Sequence, residues 1–423
     1  MVVLSLAYQS LKNRKLATIL TLCSIALSVA LLIGVEQVQT AAREGFRNTI
    51  SQTDLIVGGR GGSLSLLLYT VFRLGSASND ISWASYQKIR NDPAVEWTIP
   101  YSLGDSHRGF RVVGTTDDFY RHYRYHRDRQ VTFAEGRPPA DVFDVALGNA
   151  VEAKLHYRLG QKIVLTHGIS SESSAGILDH SDKPFTVVGI LNQTATPVDR
   201  SLYITLEGEE AMHVDWIDGA PPIPGQEVPA SAIRKQNIQI KSVTSFLLRA
   251  HSRIDSLTLQ RKINTFPDEP LQAIIPGVAL SELWTTFDYA DESLSLIAIF
   301  VLIVSLLGML ASLYTTLNER RRELAILRVL GVGPAKIAGL LILESGLLSV
   351  AGALLGVAAV YSLSFGTQSL VTQRFGLFLP ITPLTFKSYL CLAVITLAGF
   401  AVGLVPALRA YRNTLADHLS LRL

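Results

Sequence analysis

The sequence predicts an α-helical membrane protein with four transmembrane helices and a large mixed α/β extracytoplasmic domain inserted between helices 1 and 2. Three observations carry this prediction. Of the 423 residues, 48% are apolar and only 17% are charged, against roughly 25% charged in an ordinary soluble domain. The apolar residues gather in four runs near the roughly 20 residues a helix needs to cross hydrocarbon. Residues 36–293, between the first two runs, read instead as alternating short strands and helices. This composition excludes a disordered, fibrous or disulfide-scaffold protein, and a formal net charge of +3 gives no ground for a nucleic-acid partner.

The spans follow in order. Residues 16–35 (LATILTLCSIALSVALLIGV) and 294–317 (LSLIAIFVLIVSLLGMLASLYTTL) contain no charge. The third, 337–361, holds one acid, Glu344, and the fourth, 388–408, has no ionisable side chain other than Tyr389 and Cys391. Basic residues resist translocation, so their distribution sets orientation. The segments 1–15, 318–336 and 409–423 together carry eleven Lys and Arg against three acids, whereas 36–293 carries 25 Lys and Arg against 31 acids. Both termini and the 318–336 connection are therefore expected in the cytoplasm, with 36–293 and the loop 362–387 outside. A cleaved signal peptide ending near Thr40-Ala41-Ala42 is the rival for the first run, but its apolar core exceeds the usual 7 to 15 residues. The two cysteines, Cys23 and Cys391, both fall inside spans, so no disulfide, zinc or redox spacing is available.

Within the insert, helical patterning continues from Glu36 to Ile50 and again over Val278 to Ser293, suggesting a pair of stalk helices. Between them Phe110–Val113, Lys162–Leu165, Phe185–Ile190, Leu202–Ile204 and Ser245–Leu248 read as strands. Ser82–Asn91, Asn149–Tyr157 and Ile254–Asn264 read as helices, and the Pro-rich Ala220–Pro229 as a loop. The apolar run Leu64–Phe72 reads as a core strand or as a surface for lipid or a greasy substrate, with Leu66, Leu67 and Tyr69 as the cargo-contact candidates.

Chemical motifs are sparse. His122 and His126 share the i, i+4 spacing of a helical metal pair, yet Arg121, Arg124, Arg127 and Arg129 surround them and no third ligand is indicated, so a solvated basic face is the expectation and no metal. The glycines Gly58, Gly59, Gly61 and Gly62 lack the Gly-Lys-Ser/Thr continuation of a phosphate loop, and no Gly-x-Ser-x-Gly elbow supports a hydrolase. Neither catalytic residues nor a bound cofactor are expected.

The most specific segment is NERRRELAILRVLGVGPAKIAGLLILESGLL, residues 318–348. Charged Glu319, Arg320, Glu323 and Arg328 alternate with apolar Leu324, Ile326, Leu327 and Leu330 until Gly331 and Gly333-Pro334 break the helix. A short amphipathic helix held between two spans can dock in a partner's groove and pass on that partner's motion, or lie at the headgroups as a basic anchor.

At these residues the chain resembles the MacB/FtsX/LolC-LolE class of ABC transporter permease subunits, the type VII or mechanotransmission class. AYQSLKNRKLATILTL, VALGNAVEAKLHYRLGQKIVLT, FTVVGILNQTATPVDRSLYITLE and GLVPALRAYRNTLADHL are similar to the class's other blocks, in the same order over nearly the whole chain. The resemblance implies a non-enzymatic subunit of the bacterial inner membrane that pairs with a second permease copy, as homodimer or paralogous heterodimer, and with a dimer of a separate ABC ATPase, to which ATP and magnesium are confined. A membrane-fusion protein and membrane lipid are further partners of such permeases. Carried over by motif, Glu319, Arg320, Glu323, Leu327, Arg328, Leu330 and Gly331 would form the ATPase-coupling element. Unlike MacB, the sequence has no fused ATPase before the first span, so that activity is expected on another chain.

Small residues four apart, Ser24 with Ser28 and Gly352 with Gly356, permit close helix approach either within one subunit or across a dimer. Glu344 is costly in a bilayer and marks an internal hydrogen bond, a hinge for transmission or a proton site. The resulting expectation is export or extraction of a hydrophobic cargo (lipoprotein, lipid, peptide or drug), with an FtsX-like relay to an external cell-wall hydrolase as the alternative.

Overall fold

The computed structural model describes residues 15–168, 180–216, 228–234, 237–319, 326, 329, 332–375 and 383–416. Two compact units form, one built on Arg43–Thr286 and one on the long helices.

The helical unit rests on four helices, Lys15–Thr49, Pro276–Glu319, Pro334–Phe375 and Phe386–Ala416. Each is long and apolar enough to span a bilayer. All four outrun the apolar runs that predict them, because helical patterning continues where lipid compatibility stops: the first helix reaches Thr49, and the second begins at Pro276 rather than near Leu294. Proline at the start of the second and third helices suits a position whose N–H has no intrahelical partner. Ile25, Val29 and Ile33 of the first helix pack with Met309 and Leu313 of the second, Leu348 and Val360 of the third and Ile395 of the fourth.

The other unit is mixed α/β, as its pattern predicts. A four-stranded antiparallel sheet runs Leu271–Ile274, Leu55–Gly59, Ser245–Ala250, Val95–Tyr101 from edge to edge. An eight-stranded sheet follows the path Lys162–Ile163, Phe185–Leu191, Asp144–Leu147, Ser201–Thr205, Phe110–Thr115, Asp105–His107, Thr166–His167, with Phe133–Gly136 paired to Phe185–Leu191 beside it. Two of its pairings are parallel, Asp144–Leu147 with Phe185–Leu191 and Phe110–Thr115 with Ser201–Thr205. The first needs a crossover, which carries the helix Asn149–Leu155. Leu64–Phe72 aside, the strands and helices expected from the patterning of this unit are present within a few residues of their predicted ends. Of the Pro-rich segment, only Val228 and Pro229 fall among the described residues.

The run Leu64–Phe72 differs: it is a helix, Ser63–Val71, not a strand. Leucine favours helix, and Gly62 at φ 104° turns the chain out of the preceding strand so that a new element starts.

Candidate functional site

Several buried polar atoms of the helical unit sit at helix contacts. Ser28 Oγ lies 2.6 Å from Ser305 Oγ, and Ser24 Oγ donates to Ser305 Oγ at 2.9 Å, so a serine cluster joins the first helix to the second. Gly352 and Gly356 of the third helix face the first: a Cβ on Gly352 would stand 2.7 Å from Ile25 Cγ2, and one on Gly356 2.7 Å from the Ala26 carbonyl. These pairs therefore pack helices of one chain. The third and fourth helices interlock the same way, Gly399 against Ser349, Gly403 against Ser345 and Gly346 against Phe400. Glu36 reaches the start of the fourth helix, where its carboxylate accepts from Ser388 Oγ at 2.8 Å and from Thr385 Oγ1. An anion there complements the helix dipole. Glu344 is buried within the third helix, at 2% exposure.

Of the coupling residues, Glu319 closes the second long helix. Arg320, Glu323, Leu327, Arg328, Leu330 and Gly331 lie outside the described residues.

The structure also places the cargo-contact candidates and the histidine pair that the sequence singles out. Leu66, Leu67 and Tyr69 are buried in a core with Ile56, Ile99, Tyr101 and Leu247, so in this conformation they offer no surface to lipid or cargo. Burial, then the neighbouring Asp80 charge, pushes the Tyr69 phenol up to about 12. His122 and His126 do not share a helix face, because the helix Asp118–His122 stops there and His126 has φ 45°. His122 stacks instead on Trp97, ring centroids 5.4 Å apart.

What spacing did not reveal is a cluster of three histidines and an aspartate at the edge of the eight-stranded sheet. Asp105 and His167 are directly opposed, His167 on the edge strand and Asp105 on the antiparallel strand beside it. His180 begins the next described segment, its N–H bonded to the Leu165 carbonyl at 3.0 Å. His213 caps the C-terminus of the helix Leu206–Met212. His167 Nδ1 lies 3.1 Å from Asp105 Oδ1 and 3.0 Å from His213 Nε2, and one potential ligand atom from each of the four residues falls within 4.8 Å of every other. Trp216 packs against all three imidazoles with centroids 4.9 to 5.3 Å away. Burial holds His180 down at about 4, whereas the hydrogen bond to Asp105 raises His167. Glu209, beneath the cluster, is pushed up to about 8 by burial and then by the Asp105 charge. Lys183 Nζ binds both carboxylate oxygens of Asp215 at 2.7 and 2.8 Å, tying the His180 segment to the His213 segment.

The family model of the MacB-like periplasmic core domain matches residues 18–264, and that of the FtsX-like permease C-terminal region matches 295–415. No protein of curated function matches significantly. Among solved structures, the extracellular domain of the noncanonic ABC-type transporter YknZ from Gram-positive bacteria is similar at 10% identity and a TM-score of 0.29, over 52% of this chain and 98% of that one. The first family model alone covers more than half of the sequence, so this chain belongs to the MacB-like, FtsX-like family of ABC transporter permeases.

Proposed function

We propose that this permease converts ATP hydrolysis by a separate ATPase into a shape change of its periplasmic domain, and so exports or extracts a hydrophobic cargo. The order of parts carries the reading: a MacB-like domain set between the first long helix and an FtsX-like group of three. The second helix supports it mechanically, since Pro276–Glu319 is one element with a continuous backbone ladder, ending where the coupling residues begin. In this reading Glu319, Arg320, Glu323, Leu327, Arg328, Leu330 and Gly331 engage the ATPase dimer at the cytoplasmic face of the inner membrane, both termini lie on that side, and a second permease copy completes the complex. The subunit itself performs no chemistry.

The test is co-purification. The full chain should bring down a co-expressed ABC-type ATPase, and deleting residues 319–336 should abolish this while the periplasmic domain keeps its protease resistance. Unchanged association would sink the coupling assignment. A relay of FtsX type to an external hydrolase is the second reading, favoured by the burial of Leu66, Leu67 and Tyr69, which removes the apolar surface nominated for cargo. ATP-dependent release of a lipid-anchored reporter from proteoliposomes holding permease and ATPase supports the first reading. ATP-dependent movement with no release supports the second.

A further inference from the structure

We propose that Asp105, His167, His180 and His213 form a binding site for one divalent transition-metal ion of zinc type, an assignment independent of the transporter reading. Three features point to a ligand rather than to a packed core.

The first is unmet hydrogen bonding. His180 is 1% exposed, and among the described residues neither of its ring nitrogens has a partner; Asp105 is equally buried, and among the same residues its Oδ2 has none. Orphaned polar atoms of that kind are rare because each forfeits its hydration. His107, two residues along the same strand from Asp105, shows the satisfied alternative, with Nδ1 2.6 Å from the Val164 carbonyl and Nε2 2.9 Å from the Tyr157 hydroxyl.

Tautomer comes second. His213 Nδ1 faces the Glu209 carbonyl at 3.0 Å and must carry a proton there, which leaves Nε2 with its lone pair directed into the cluster. Ligating histidines are oriented by this kind of carbonyl contact. His167 Nδ1 then shares a single proton between His213 Nε2 and Asp105 Oδ1, and metal binding exchanges that proton for the ion.

Geometry is third. Ligand atoms about 2.0 Å from a tetrahedral zinc stand about 3.3 Å apart. Separations of 3.0, 3.1 and 3.8 Å among Asp105, His167 and His213 bracket that value. Three imidazoles and one carboxylate suit Zn²⁺, Co²⁺, Ni²⁺ or Cu²⁺ and not Mg²⁺ or Ca²⁺, which take oxygen. Four protein ligands leave no open coordination position, so the ion would staple the sheet edge to the His180 segment and to the end of the helix Leu206–Met212, rather than catalyse.

The experiment uses the full-length permease in detergent, stripped with chelator, dialysed against micromolar Zn²⁺ and analysed for bound metal. One zinc per chain is expected, with affinity reduced at least about 100-fold in His180→Ala and in His213→Ala, and unchanged in the double variant His122→Ala/His126→Ala. Zinc should raise the unfolding temperature of the wild type and leave that of His180→Ala unmoved. If the alanine variants fail to fold, Co²⁺ loading of the wild type decides: intense visible absorption of a tetrahedral ion supports the site, and the weak spectrum of an octahedral ion overturns it. An absence of stoichiometric zinc, or zinc held equally by the folded variants, also overturns it.

Discussion

Ser28 and Ser305 face each other across the first and second long helices with their hydroxyl oxygens 2.6 Å apart, and Ser28 also donates to the Ser24 carbonyl at 2.9 Å. The inter-helix bond is therefore partly redundant with a bond inside the first helix. Hydrogen bonds between spanning helices average about 0.6 kcal/mol. Ser305→Ala should accordingly cost less than about 1 kcal/mol in unfolding of the detergent-solubilised protein, whereas Ser305→Leu, which must fit a larger side chain into the same contact, should cost several times more.

Gly352 and Gly356 carry a larger effect. Any side chain at Gly356 meets the Ala26 backbone carbonyl and Val29 Cβ, both 2.7 Å from an added Cβ, and backbone cannot move aside. Gly356→Ala should destabilise by about 1 to 3 kcal/mol, the usual cost of overpacking. Gly308→Ala in the second helix, where an added Cβ meets nothing within 4 Å, should be neutral or better. Equal unfolding temperatures for the two variants would contradict this packing.

Leu67 separates a core role from a cargo role. At 2% exposure its replacement by aspartate buries an unpaired charge, so Leu67→Asp should unfold the domain and remove the protein from the membrane fraction. Leu67→Met preserves volume and should cost less than about 1.5 kcal/mol. A well-folded Leu67→Asp protein with selectively lost transport would restore the surface reading.

The contrast among these residues shows what sequence can carry. Leu16–Val35 and its three counterparts are legible because compatibility with lipid is a property of an uninterrupted run. Phe110–Val113 and Leu202–Ile204 are legible because β-branched and aromatic residues mark strands. Leu64–Phe72 is ambiguous because a short apolar run does not distinguish a buried strand from a buried helix. The His122 and His126 spacing assumes a helix that ends at His122, where Tyr123 turns to extended backbone, and no propensity marked that stop. Asp105, His167, His180 and His213 have no common motif at all. Sheet pairing and a helix terminus gather them, and the buried Asp105 next to the satisfied His107 gave no local signal.

Asp92 gives a pH signature. Burial disfavours its charge, but hydrogen bonds from Lys262 Nζ at 2.5 Å and the Ala94 N–H at 2.9 Å outweigh burial and lower its pKa. A carboxylate whose folded value lies below the unfolded one adds stability above the unfolded value, and that stability fades as pH falls through the folded value. Lys262→Met should therefore cost up to about 1 kcal/mol at neutral pH, Lys262 being largely exposed, with the difference from wild type vanishing in acid. A difference that persisted or grew at low pH would reject the assignment.

Lys183 is fully buried and its ammonium binds Asp215, itself 5% exposed, together with the more exposed Asp182 at 2.8 Å and the Met212 carbonyl at 3.3 Å. Removing one partner strands the other, because among the described residues Asp215 then keeps only backbone donors, the Val228 N–H at 3.0 Å and its own N–H. Breaking a buried pair from one side costs about 3 to 5 kcal/mol, while replacing both partners with apolar groups of similar volume is often neutral. Lys183→Met should thus lower the urea midpoint of the domain, followed by tryptophan fluorescence, and Lys183→Met/Asp215→Leu should recover most of the loss. A double variant no more stable than the single one would mean that the pair's worth lies in the backbone contacts it anchors rather than in the desolvated charge.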